Sequence, residues 1–77
     1  MLKVFMLIKT QIGEAPAVVK ALRGLPEITS ADATIGPYDV IAEAQVPDAK
    51  ALGKLVAFEV PVTPGVVDTL TLLAMEI

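Results

Sequence analysis

The sequence predicts an α+β fold in the element order β-α-β-β-α-β. Three observations carry this prediction: four short segments have alternating or nearly continuous apolar residues, two others have apolar residues at helical spacing, and proline- or glycine-containing turns separate the segments. A period of two is typical of a strand, and a period of 3.6 is typical of a helix. The 77 residues are enough for one small domain.

The first strand and the first helix have the clearest patterns. Leu2–Lys9 predicts a strand with apolar residues on both faces. Residues 14 to 24 predict a helix, which Gly24 followed by Pro26 should end. Its apolar stripe falls at i, i+3, i+4, i+7 and i+10, on Ala15, Val18, Val19, Leu22 and Leu25.

Two further strands are predicted in the middle of the chain. Ile28–Ile35 alternates weakly and is polar, so we expect it at an edge of the sheet. Regular alternation would place Ile28 and Ala31 on opposite faces. A Gly-Pro turn follows, and Tyr38–Val46 then predicts a strand with one apolar face.

The C-terminal half predicts a helix and a last strand. Pro47 and Asp48 open the helix, with Asp48 as a candidate N-cap, and the helix must end before Pro61 because a residue preceding proline avoids the αR region. Val66–Met75 predicts a strand that is apolar on both faces. The complete order is that of a ferredoxin-like sandwich, a four-stranded antiparallel sheet with two helices on one face.

The composition predicts a domain that needs partner subunits. A lone chain of this size buries only about 60% of its unfolded surface, and it has no cysteine or histidine for disulfides or zinc sites. Yet 55% of the residues are hydrophobic. Phe5 and Leu7 should share the helix-free face of the sheet with alternate residues of the last strand, so we expect a dimer that forms through the sheet.

Charge and hydropathy argue against nucleic acids and membranes as direct partners. Nine acidic and six basic residues give a net charge of −3, and the basic residues are scattered along the chain. The longest stretch without a charge runs only from Val60 to Val67, whereas a spanning helix needs about 20 apolar residues. The N-terminus has no cleavage-site pattern. We therefore expect a soluble, cytoplasmic protein.

Four segments resemble the effector-binding (RAM) domain of the leucine-responsive and asparagine-responsive (Lrp/AsnC) transcriptional regulators. They follow one another in the order and spacing of that family and span nearly the whole chain. The G-x-Y-D turn followed downstream by P-G-V is the most specific pairing. The segments are Leu7–Thr10, Leu25–Ile28, Gly36–Ile41 and Pro64–Leu72.

The resemblance implies an oligomeric module that binds small amino acids. Domains of this kind form sheet-mediated dimers that assemble further, often into octameric or similar rings, with the effector between neighbouring dimers. Full-length members also carry a helix-turn-helix DNA-binding domain, which has no counterpart in this sequence. We therefore expect residues 1–77 to be a single ligand-binding domain that acts through partners such as a DNA-binding Lrp/AsnC relative. One departure is that Pro61 and Pro64 shorten the second helix.

The same resemblance points to six candidate ligand-binding residues. A free amino acid needs a carboxylate or carbonyl for its ammonium and N–H or hydroxyl donors for its carboxylate. Asp39 would bind the ammonium, Gly36 would leave backbone open to the ligand, and Tyr38 would line the pocket. The candidate hydroxyl donors are Thr34, Thr69 and Thr71.

These residues also have ordinary structural explanations, which the sequence leaves open. An aspartate after a turn often accepts hydrogen bonds from the nearby backbone, as Asp39 would. A tyrosine at the start of a strand, such as Tyr38, commonly packs with its hydroxyl in water. Threonine is a good strand former, which would suffice for Thr69 and Thr71.

Two other functions stay open at this stage. A small enzyme on a dimeric ferredoxin-like α/β-barrel would need a buried acid–base residue, often histidine, and the acidic residues here have no paired spacing. A purely structural assembly module is the other alternative, and the sequence does not separate it from an amino-acid sensor. We expect no catalytic residue, no metal and no cofactor.

Overall fold

The computed structural model describes residues 1–77 and confirms the predicted element order. The four strands form one antiparallel sheet in the order β2-β3-β1-β4. A π-helical turn continues the second helix. None of the helices has the length and hydropathy that a bilayer-spanning segment needs. The elements are β1 (Leu2–Thr10), α1 (Ala15–Arg23), β2 (Ile28–Ala33), β3 (Val40–Val46), α2 (Ala49–Lys54), the π turn (Leu55–Glu59) and β4 (Val66–Leu73).

The core lies between the sheet and the helices. Alternate residues of β1 and β3 point toward the apolar stripe of α1, so the period-two and period-3.6 patterns meet in one cluster. No polar or charged residue is buried. The core residues are Val4, Met6, Ile8, Val18, Val19, Leu22, Ile28, Ala31, Val40, Ala42, Ala44, Val46, Leu55 and Val60.

The side of the sheet that carries no helix is also apolar. Phe5 pairs with Leu72 and Leu7 pairs with Leu70, as expected from the alternation of β1 and β4. Ile41 of β3 lies on the other side of Leu7. Leu70 and Leu72 are 45% and 49% exposed in the single chain. We call these five residues the open sheet face.

Strand β2 is an edge strand, as predicted, but its side chains do not alternate regularly. Its pairing with β3 shifts between Ile28 and Ser30, which leaves Thr29 as an extra residue. Ile28 and Ala31 are therefore both buried in the core. The prediction that they lie on opposite faces is wrong, because a bulge resets the period-two pattern.

The second helix begins and ends as the sequence predicted. The Ala51 N–H donates to Oδ1 of Asp48 over 2.8 Å, so Asp48 is the N-cap. The helical backbone ends before Pro61, although its last turn is π-helical, with the Val60 N–H donating to the Leu55 carbonyl at 3.0 Å. This wider turn lets Leu55 and Val60 both reach the core.

Gly65 allows β4 to approach the start of α1 closely. Its φ is +95°, and a Cβ added there would lie 3.0 Å from Cβ of Glu14 and 3.1 Å from Cγ2 of Val18. Its carbonyl accepts a hydrogen bond of 2.8 Å from the Gln11 N–H. Only glycine meets both the conformation and the space.

Gly65→Ala should therefore lower the free energy of unfolding by about 1–3 kcal/mol, since it adds strain at a positive φ and a clash with α1. Urea denaturation monitored by circular dichroism would measure the change. Gly53→Ala is the matched control: nothing lies within 4 Å of its added Cβ, and in α2 it should stabilise by up to about 1 kcal/mol. Equal effects of the two substitutions would contradict this role of Gly65.

Candidate functional site

The loop of residues 34–39, between β2 and β3, carries four of the six candidate residues. The Thr34 N–H donates to the Asp39 carbonyl over 2.9 Å, and Thr34 Oγ1 donates to the Tyr38 carbonyl over 2.7 Å. These bonds close the base of the loop and leave Gly36 exposed at its tip. The flanking strands are shorter than predicted. The backbone at Thr34 and Tyr38 takes part in the hydrogen bonds that close the loop and does not continue the pairing of β2 with β3.

Asp39 is anchored to the central strand β1. Its Oδ2 accepts a hydrogen bond of 2.8 Å from the Thr10 N–H, and its own N–H donates to the Ile8 carbonyl at 2.9 Å. Thr10 lies beyond Ile8–Val40, the last pair of the β1–β3 ladder, so the Asp39 side chain takes the place of a backbone acceptor there. The explanation that Asp39 accepts a backbone hydrogen bond thus accounts for one carboxylate oxygen, Oδ2. The donor lies on the neighbouring strand β1 and not within the turn. Oδ1 accepts no hydrogen bond within the chain.

Tyr38 lies beside a residue that the sequence analysis did not select. The ammonium nitrogen of Lys9 is 5.5 Å from the centroid of the Tyr38 ring, a distance typical of a cation–π contact. Tyr38 is half-buried, and its hydroxyl forms no hydrogen bond within the chain. Lys9 belongs to one of the four resembling segments, but only the strand register brings it to Tyr38.

Thr69 and Thr71 are not brought to this loop within one chain. They lie opposite Ile8 and Met6 on β4, on the helix side of the sheet, and both are half-buried. Strand β1 separates them from β3, so Thr69 is two strand spacings, or about 10 Å, from the start of β3. The structure therefore divides the predicted residues into two groups.

A surface groove lies elsewhere. It has a volume of about 760 Å³ and follows the outer side of α2, with Pro47, Lys50 and Phe58 in its lining. Strand β3 separates it from the loop, because α2 follows the C-terminal end of that strand. The Asp48 carboxylate in this groove is already used as the helix N-cap. We place the candidate site at the loop, where polar groups and an aromatic ring converge.

The groups at the loop suit a small polar ligand better than a metal ion. One free carboxylate oxygen, one lysine ammonium, a tyrosine and exposed backbone lie at the same end of the sheet. Nowhere in residues 1–77 do three or more His, Cys, Asp or Glu side chains come together. Such an arrangement can bind charged groups of opposite sign on one molecule.

The fold defines a class of protein: small α+β domains with a ferredoxin-like antiparallel sheet. A family model described as the Lrp/AsnC ligand binding domain matches residues 3–77. The chain belongs to this family, as the four sequence segments predicted. A search of the curated proteins found no match.

Two solved structures resemble the chain along almost their whole length. TTHA0845 from Thermus thermophilus is 30% identical, with a TM-score of 0.93, over 100% of this chain and 96% of that one. The hypothetical protein PHS023 from Pyrococcus horikoshii is 26% identical, with a TM-score of 0.92, over 99% and 92%. The ferredoxin-like fold is thus shared by proteins of the same size.

A third structure is a longer transcriptional regulator, NMB0573 from Neisseria meningitidis, described as a complex with L-Met. It is 22% identical, with a TM-score of 0.86, and the match covers 97% of this chain but 50% of the regulator. This chain therefore spans about half the length of that protein. At this identity the likeness concerns the fold alone.

Asp39→Ala should lower the free energy of unfolding by about 1–3 kcal/mol, because it leaves the part-buried Thr10 N–H without an acceptor. Asp39→Asn keeps an oxygen at that position and should cost less than about 1 kcal/mol. Thermal or urea unfolding of both variants would measure the difference. If Asp39→Ala unfolded like the unmodified chain, the anchoring role of Asp39 would be refuted.

Proposed function

We propose that this chain is an oligomeric amino-acid-sensing module that regulates transcription through partner proteins. Membership of the Lrp/AsnC ligand-binding domain family supports a regulatory role. The observation that carries the proposal is the Asp39 carboxylate: Oδ2 is held by the Thr10 N–H and Oδ1 is left without a hydrogen bond. A carboxylate fixed in this way is preorganised to bind an ammonium group.

The remaining candidate residues have distinct roles in this proposal. The Tyr38 ring lines the pocket, and the exposed backbone at Gly36 approaches the ligand. The Thr34 hydroxyl proton is used for the Tyr38 carbonyl, so Thr34 holds the loop in shape and contributes at most an acceptor to the ligand. These assignments rest on the residue types and on the closed base of the loop.

The pocket is proposed to form between subunits. Thr69 and Thr71 lie across β1 from the loop, so one chain does not join both groups of candidate residues. The loop tip is exposed, and the Ile35 side chain is fully accessible. A neighbouring subunit that supplies its β4 threonines to this loop would complete the donor set.

The open sheet face supports a homodimer as the first step of assembly. Phe5, Leu7 and Leu70 lie together on it and would otherwise contact water. Burying such a patch against a second copy contributes roughly 25 cal/mol per Å² of apolar surface. Further assembly into a ring of dimers, such as an octamer, would bring the loops of neighbouring dimers together.

The proposed effector is a small amino acid, and the proposed partner is a DNA-binding Lrp/AsnC relative. NMB0573 is described as a complex with L-Met, which makes L-methionine the first compound to test. A net charge of −3 argues that contact with DNA comes from the partner. Mixed assemblies would let the ligand-bound state of this chain influence the DNA-binding subunits.

Isothermal titration of the assembled protein with the twenty L-amino acids, starting with L-methionine, should detect binding of at least one. Asp39→Asn should weaken that binding by roughly 10- to 100-fold, because it removes the charge that attracts the ammonium. Glu76→Gln, which removes an exposed negative charge near the C-terminus, is the control and should bind normally. No heat with any amino acid would instead favour a purely structural assembly module.

Leu70→Asp should convert the dimer to monomer, because it places a charge on the open sheet face, beside Leu7. Native mass spectrometry or light scattering would give the mass of the assembly. Val62→Asp changes a residue that is also exposed but lies in the connector before β4, so it should leave the mass unchanged. A dimer that survives Leu70→Asp would show that the chains associate elsewhere.

A further inference from the structure

Two lysines lie on the same strand and the same side of the sheet but in different electrostatic surroundings. The Nζ of Lys3 is 3.8 Å from Oε1 of Glu43 and 5.3 Å from the centroid of the Phe5 ring. The Nζ of Lys9 lies 5.5 Å from the Tyr38 ring and forms no ion pair within the chain. Lys3 thus has an ion-pair partner within the chain, whereas Lys9 has none.

The acidic residues beside Lys9 in the sheet form no ion pair with it, and each accepts a hydrogen bond from a backbone N–H. Asp39 accepts from Thr10 through Oδ2. Asp68, which pairs with Lys9 in the sheet register, accepts from the Thr69 N–H through Oδ1 at 2.9 Å. A cation–π contact positions an ammonium without neutralising it, so Lys9 keeps its charge and donors for an external anion.

Lys9 and Asp39 are held beside each other by the backbone. The Asp39 N–H bonds to the Ile8 carbonyl, and its carboxylate bonds to the Thr10 N–H. Lys9 is the residue between these two contacts. One positive and one negative group are therefore fixed at adjacent positions of one end of the sheet, and Lys3 at the other end of β1 is about 20 Å away.

We infer that Lys9 binds the α-carboxylate of the effector while Asp39 binds its α-ammonium, so that the site selects zwitterions. This inference rests on the proposed function and adds the residue that recognises the carboxylate. Amines that lack the carboxylate lose the contact with Lys9. Carboxylic acids that lack the amine lose the contact with Asp39 and bind weakly for that reason.

Titration of Lys9→Met, Lys9→Arg and Lys3→Met with the twenty L-amino acids, and with the decarboxylated amine of each one that binds, tests this inference. Lys9→Met should weaken amino-acid binding by roughly 10- to 100-fold, whereas Lys3→Met should not change it. Lys9→Arg keeps the charge and should remain within several-fold of the unmodified chain. The amines should bind weakly to every variant and lose nothing further with Lys9→Met.

The outcomes separate the two hypotheses. If the unmodified protein binds an amino acid and Lys9→Met binds it equally well, the role of Lys9 is overturned and the proposed function stands. If Lys9→Met changes the mass of the assembly and leaves binding intact, Lys9 pairs with an acid of a second copy and the inference is also overturned. If the unmodified protein binds no amino acid, the proposed function fails and this inference fails with it.

Discussion

Two short helices cover only one side of a four-stranded sheet, and the rest of this structure follows from that constraint. The covered side takes the fully buried residues of β1 and β3, which form the core with α1. The other side keeps large apolar residues such as Leu70 and Leu72 in contact with water. In the proposed dimer, a second subunit would cover that side and add stability to a small chain that has no disulfides.

The candidate site is built into the same sheet. Asp39 holds the start of β3 against the end of β1, so the residue proposed to bind an ammonium also accepts the hydrogen bond of the Thr10 N–H. Under the proposed function, ligand binding and strand pairing would therefore be coupled at this end of the molecule. Removing Asp39 altogether would disturb both, whereas changing only its charge would separate them.

Proteins with low sequence identity to this chain share its fold. Chains that are 26% and 30% identical to this one superpose with TM-scores of 0.92 and 0.93. Burial on the helix side requires only apolar residues of suitable size at alternating positions, which many sequences supply. Under the proposed function, ligand choice would depend instead on a few groups at the strand ends.

The sequence by itself determined the element order, the fold class, the family and the apolar face of β1, because these depend on local periodicity and on motifs read along the chain. It also determined where α2 begins, through Asp48, and where its helical backbone ends, through Pro61. The tertiary structure alone decided the bulge at Thr29, the π turn before Val60 and the contact of Lys9 with Tyr38. It also showed that Asp39 bonds to Thr10, 29 residues away, and that Thr69 lies across β1 from the loop. Such contacts depend on strand register, and a shift of one residue moves every side chain to the other face without changing the periodic pattern.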